Sequence, residues 1–271
     1  MPTSEIVLNI RALRDRYQHS AFTPTHLIEH LYPQVSGAEA EGVWTYLLPR
    51  TDLLQQAAEL ERQSVETRQR SPLWGIPFSV KDCIDIADLP TSCACDRFTY
   101  TAKATNPVVQ KLLDAGGILI GKTNLDQFAT GVVGVRTDFG IPRNPFNPDY
   151  IPGGSSSGAA VSVARQFVSF AIGTDTGGSG RVPAALNHVV GLKPTRGLLS
   201  TRHMIPACRT LDCVSIFAPS VDDAAEVFEV AKGYDPLDPF SRPAPPAQAC
   251  EAIASFTFGV PAEEFLQFDG N

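Results

Sequence analysis

From Tyr150 to Arg181 the chain reads YIPGGSSSGAAVSVARQFVSFAIGTDTGGSGR, two glycine–serine clusters around a mostly apolar run. The run constrains the fold because it must be buried. Gly158–Ala164 is small and apolar, which predicts a helix that packs closely against its neighbours. Phe167–Ile172 (FVSFAI) reads as an interior strand. The two clusters therefore sit at the edges of one buried helix–strand unit. Such turns can cradle an anion, act as flexible connectors, or present a serine.

Phosphate binding is disfavoured, since neither G-x-x-x-x-G-K-[ST] nor G-x-G-x-x-G is present and the GGSSSG cluster contains no lysine. TDTGGSG follows directly on the FVSFAIG strand. There successive N–H groups leave the ladder and can converge on one point, as an oxyanion hole requires. Ser179, at the end of that turn, stands where an acyl-transfer nucleophile would be placed.

A nucleophilic serine needs a base. The histidines (His19, His26, His30, His188, His203) have no evident context for a triad. A lysine can serve only when neutral, so burial must lower its pKa. Lys81, at the end of apolar GIPFSV, is a candidate, but Lys122 and Lys193 also follow apolar segments. The residues alone leave that choice open.

The surroundings predict an α/β layered domain. Helices are expected over Ile6–Tyr17, Thr25–Leu31 (with Thr23 as N-cap and Pro24 following), Asp52–Arg68, Asn106–Ala115 and Val221–Ala231. Short strands are expected at Gly75–Val80, Ile118–Ile120 and Phe256–Val260. Residues 1–70 form a helical segment packing on a core over 71–232. Residues 233–271 read as a Pro-rich loop and the start of a further segment, cut short at Asn271.

Composition bounds the partners. A net charge of −7 with no basic run argues against nucleic acid or an anionic membrane. No window approaches the ~20 apolar residues of a membrane span, and the N-terminus lacks a signal-peptide core. Six cysteines are too sparse for a disulfide scaffold, so reduced, mostly buried thiols in a cytoplasmic protein are expected. Cys83, Cys93 and Cys95 lack metal-ligand spacing, and no metal or cofactor is expected.

GIPFSVKD, PGGSSSGAAV, GTDTGGSGRVPAA and VGLKPTRG, in that order from Gly75 to Ala218, resemble the amidase signature family. The resemblance implies an amidase-signature fold: a central mixed β-sheet covered by helices on both faces, partial at the C-terminus. It also implies a catalytic trio of Lys81, Ser155 and Ser179, with a cis Gly154–Ser155 peptide. Ser179 attacks a carbonyl, Ser155 passes the proton to neutral Lys81, and the N–H groups of Thr176, Gly177, Gly178 and Ser179 hold the oxyanion. Ser156 is expected to cap the next helix or to bond Lys81. Asp175 and Arg181 are expected to brace the turn, with Arg181 and Gly131 also candidates for substrate binding. Asn124 and Asp126 read as pocket wall or scaffold.

Within the family, TNLDQFATG, GSGRVPAALN and IPACRTLDCVSIFA look most like the allophanate-hydrolysing branch, whereas the tRNA-dependent amidotransferases carry GSIRxPA. The expected partner is a small-molecule amide such as allophanate, with a biuret-type amide as the alternative, and a homodimer is left open. Arg136, Arg143 and Arg181 are the cations available for a substrate carboxylate, and Cys208 and Cys213 are expected to pack.

Overall fold

A computed structural model describes residues 6–19, 21–37, 40–244, 255, 257–262 and 264. Helix α1 (Ile10–His19) begins after Asn9, whose side chain accepts from Ala12 N at 2.7 Å. That cap explains why the helix starts later than Ile6. Helix α2 (Pro24–Val35) has Thr23 as its N-cap, accepting from His26 N, with proline at its first position. Strand β1 (Trp44–Leu47) follows, and it was not foreseen.

The single helix expected over Asp52–Arg68 is two, α3 (Arg50–Glu61) and α4 (Val65–Arg70). Ser64 divides them by accepting from Thr67 N, a cap that out-competes helix continuation. Next come β2 (Pro77–Lys81), the short pair β3 (Pro90–Thr91) and β4 (Tyr100–Thr101), then α5 (Pro107–Asp114), capped by Asn106. Strand β5 (Ile118–Thr123), α6 (Ser157–Ala164) and β6 (Phe170–Thr174) complete the central unit. Beyond it lie α7 (Arg181–Leu186), β7 (Val190–Leu192), β8 (Val214–Ala218) and α8 (Val221–Ala231).

Six strands form one mixed sheet in the order β1-β5-β2-β6-β8-β7, flanked by helices. Strands β5, β2 and β6 are parallel, while β1, β8 and β7 pair antiparallel at the flanks. The four inner strands are buried along their whole length. Alternation sorts their faces. On β2, Ser79 Oγ lies 3.1 Å from Ser162 Oγ of α6, whereas Phe78 stacks on Phe170 on the opposite face, centroids 5.2 Å apart.

Helix α6 can approach this closely because of glycine. A Cβ at Gly158 would sit 2.4 Å from Val43 O and 2.7 Å from Asn124 N. Residues 257–260 are exposed and carry no strand, and Phe256 lies outside the described residues. No helix among the described residues is long and apolar enough to cross a membrane.

Candidate active site

Parallel strands β2 and β6 are neighbours, with Val80 opposite Ile172. Their carboxyl ends, together with the N-terminus of α6, gather the predicted residues, the usual place for a site in an α/β sheet. Lys81 is fully buried, and its Nζ donates to Ser155 Oγ and to Thr174 Oγ1, each at 2.7 Å. The Gly154–Ser155 peptide is cis.

Burial pushes the Lys81 amine well below the ordinary lysine range, opposed in part by Cys83, Cys93, Asp126 and Asp175. Lys81 has no carboxylate partner among the described residues. The neighbouring carboxylate, Asp82, pairs instead with Lys122 Nζ at 2.9 Å. This geometry distinguishes Lys81 from Lys122, while Lys193 Nζ donates to Pro194 O at 3.0 Å. Burial also raises the Cys83 and Cys93 thiols.

Ser155 is held from behind. Asp126 N donates to Ser155 O at 3.0 Å, and Gly154 N donates to Val132 O at 2.8 Å. The Asp126 carboxylate accepts from Val133 N, Gly134 N and Arg136 N at 2.9–3.1 Å. Gly131 packs on that carboxylate, where a Cβ would meet it at 3.0 Å, and its φ of +152° suits glycine. Asn124 is scaffold: its side chain donates to Gly42 O and Gly140 O and accepts from Leu125 N and Thr137 Oγ1.

Ser156 occupies the N-cap position of α6, as expected, but its side chain makes no capping bond, and no bond to Lys81 occurs among the described residues. Its hydroxyl donates to Thr174 O at 3.1 Å, and its N–H donates to Ser179 O at 3.3 Å. These bonds tie the two glycine–serine turns together. No hydrogen bond joins Ser155 to Ser179 among the described residues.

Ser179 is 4% exposed, in the turn after β6. Gly178 N, expected among the oxyanion donors, is committed to Asp175 Oδ1 at 2.9 Å. The N–H groups of Thr176, Gly177 and Ser179 have no partner among the described residues. Space beside Gly177 is open, for a Cβ there would meet nothing within 4 Å.

Arg181 braces rather than reaches outward. Its Nε and Nη2 engage Asp175 at 2.9 and 3.0 Å, and its backbone N adds a third bond at 3.1 Å. That engages one edge of the planar fork in bracing the turn, the first of its two expected roles. Arg136 donates to Thr130 O, and Arg143 lines a separate cleft with Glu41 and Tyr150.

Two site residues went unseen in the sequence. Thr174 is the second hydroxyl on Lys81, and only the β2–β6 register reveals it. Asp212, which is buried, accepts from Thr176 Oγ1 at 2.6 Å and Cys208 N at 2.9 Å. It fastens the turn from the side opposite Asp175 and borders a cleft of about 500 Å³ shared with Tyr100, His203 and Arg209. Cys83, Cys93 and Cys213 are buried, but Cys208 is exposed and does not pack as expected.

Residues 36–266 match the family Amidase, and the chain belongs to that family. It is 47% identical over 218 residues to urea amidolyase from Saccharomyces cerevisiae, covering 80% of this chain and 12% of that protein. It superposes on the allophanate hydrolase of Kluyveromyces lactis with a TM-score of 0.82 and 43% identity, over 89% of this chain and 40% of that one. The glutamyl-tRNA(Gln) amidotransferase of Methylacidiphilum infernorum has an A-type subunit that is 34% identical, over 96% of this chain and 52% of that protein. The chain thus spans only a part of each relative.

Proposed function

We propose that this chain carries the catalytic trio of an amidohydrolase whose substrate is allophanate. One observation carries the reading: a fully buried lysine, without a carboxylate partner among the described residues, stands 2.7 Å from Ser155 Oγ, next to the nucleophile turn. The greater similarity to urea amidolyase and allophanate hydrolase than to the amidotransferase supports the substrate.

In the proposed reaction, Ser179 Oγ bonds to the terminal carbonyl carbon. Its proton passes to Ser155, and the Ser155 proton passes to the lone pair of neutral Lys81. The oxyanion is held by N–H groups of Thr176, Gly177 and Ser179, each worth ~3 kcal/mol when aimed at developing charge. On collapse the C–N bond breaks, the nitrogen takes the proton back through Ser155, and ammonia leaves. Water, activated by the same pair, then hydrolyses the ester on Ser179. Thr174 holds Lys81 by the second hydroxyl, and Gly131 belongs to the loop that backs Ser155.

The test is ammonia release from allophanate, with biuret, glutamine and a peptide amide in parallel. Turnover of allophanate that disappears in Ser179→Ala and Lys81→Ala is expected. Preference for another amide refutes the substrate, and activity that survives both substitutions refutes the trio.

A further inference from the structure

Strand β2 ends at the buried Lys81, the turn after it begins with the buried Asp82, and the adjacent strand β5 carries a second buried lysine, Lys122. Alternation along β2 sends Lys81 and Val80 to opposite sides of the sheet. Lys122 is in register with Val80, so it lies on the side away from Lys81, and Asp82 joins it there. There Lys122 Nζ meets Asp82 Oδ1 at 2.9 Å and donates to Thr91 Oγ1 at 3.0 Å and Pro90 O at 3.1 Å. Lys122 thus has two hydrogen bonds and an ion-pair contact with the carboxylate, which, among the described residues, accepts no hydrogen bond at Oδ1. Asp82 Oδ2 accepts in turn from Ser92 N at 3.0 Å and from the Ser92 hydroxyl. Lys81, on the other side, has two hydroxyls and, among the described residues, no carboxylate bond.

We propose that the Asp82–Lys122 ion pair is a positioning device that confines buried positive charge to the back of β2, so that Lys81 is the amine left without a proton. This inference rests on Lys81 being the base. The pair works by cancellation. An uncancelled ammonium behind the strand makes protonation of Lys81 harder, and an uncancelled carboxylate makes it easier. The other groups facing Lys81 are Asp126 from the loop after β5, Asp175 from the end of β6, and the thiols of Cys83 and Cys93. Asp126 is held by backbone amides and Asp175 by Arg181, so neither depends on the pair.

The pair also has a plain structural use, because Cys93 N donates to Asp82 O at 3.0 Å and the loop from Pro90 hangs from both side chains. A purely structural role predicts slower reaction in every variant. The electrostatic role predicts pH shifts of opposite sign.

The experiment follows covalent labelling of Ser179 by a fluorophosphonate against pH, in the full chain, so that no natural substrate is needed. The wild-type rate should rise with pH as Lys81 loses its proton. Asp82→Asn should move that limb to lower pH, and Lys122→Met should move it to higher pH. Each shift should be about one pH unit, the size expected for charges roughly 10 Å apart at an effective dielectric of ~20. The combined variant should return near the wild-type limb. Shifts of the same sign, or none, with Lys81 dependence intact, overturn the inference alone. Labelling of Lys81→Met as fast as wild type overturns the proposed base, and this inference with it. If a single variant fails to fold, the charge-preserving Asp82→Glu and Lys122→Arg decide: each should leave the labelling limb in place, and a shift of about one pH unit in either overturns the inference.

Discussion

Replacing Asp175 by asparagine tests how the nucleophile turn is held. The carboxylate accepts from Gly178 N, from Arg181 N and from two nitrogens of the Arg181 guanidinium, all within 2.9–3.1 Å. Burial pushes its pKa up, but the guanidinium and the two N–H groups outweigh that and hold the carboxyl at about 2, against an ordinary 3.8. Because the folded value is the lower one, the ionised carboxylate stabilises the fold above pH 3.8, and that stability is lost as pH falls through about 2. A gap of just under two units corresponds to about 2.5 kcal/mol. The Arg181 side chain is 58% exposed, and solvent screening reduces the figure to roughly 1–2 kcal/mol. Urea unfolding at pH 7 should show Asp175→Asn less stable by that amount, with the difference closing near pH 2. The loosened turn should also lower kcat by ~10²-fold, the scale of losing one aligned oxyanion donor. Equal stability at pH 7, or a gap unchanged at pH 2, refutes the reasoning.

Lys81→Met should abolish activity yet raise Tm at neutral pH. The folded amine binds fewer protons than the unfolded one between its lowered pKa and 10.5, so wild-type stability should climb with pH there by up to ~1.4 kcal/mol per unit, and the variant should lose that slope. Asp212→Ala removes the acceptor of Thr176 Oγ1, and should cost about 1–2 kcal/mol and lower kcat with little change in KM, as steady-state kinetics would show. Gly180→Ile imposes on this turn the residue found in the amidotransferases. Its Cβ would lie 2.9 Å from Ser215 Oγ and 3.0 Å from Asp175 Cβ, so thermal unfolding should show a loss of about 1–3 kcal/mol, partly regained with Ser215→Gly.

The proposed trio stands out in the sequence because two serines and a lysine sit in short, distinctive motifs, and each motif lies at the end of an element that the apolar pattern also exposes. The buried helix α6 and strand β6 were legible for the same reason, being unbroken small or apolar runs. Strand β8 was missed although Val214–Ala218 is a similar run, because four apolar residues interrupted by Ser215 do not by their period distinguish strand from helix. Strand β1, part-exposed and four residues long, gave no period to read. Thr174 and Asp212 were hidden for a different reason. A threonine in a strand and an aspartate in a loop acquire their roles only from register and from a contact with Thr176, distant in sequence. The Gly178 N–H looked available in the sequence, but the Asp175 side chain folds back three residues and takes it.

In the proposed mechanism a neutral, buried Lys81 activates Ser179 through Ser155. Pre-steady-state labelling of Ser179 in the wild type, Ser155→Ala and Lys81→Ala measures that step without product release or ester hydrolysis. The account predicts a loss of ~10²–10⁴-fold in each variant, the usual worth of general-base assistance. It also predicts a double variant little worse than either single one, since both remove the same relay. Labelling at the wild-type rate in Ser155→Ala or Lys81→Ala would contradict it.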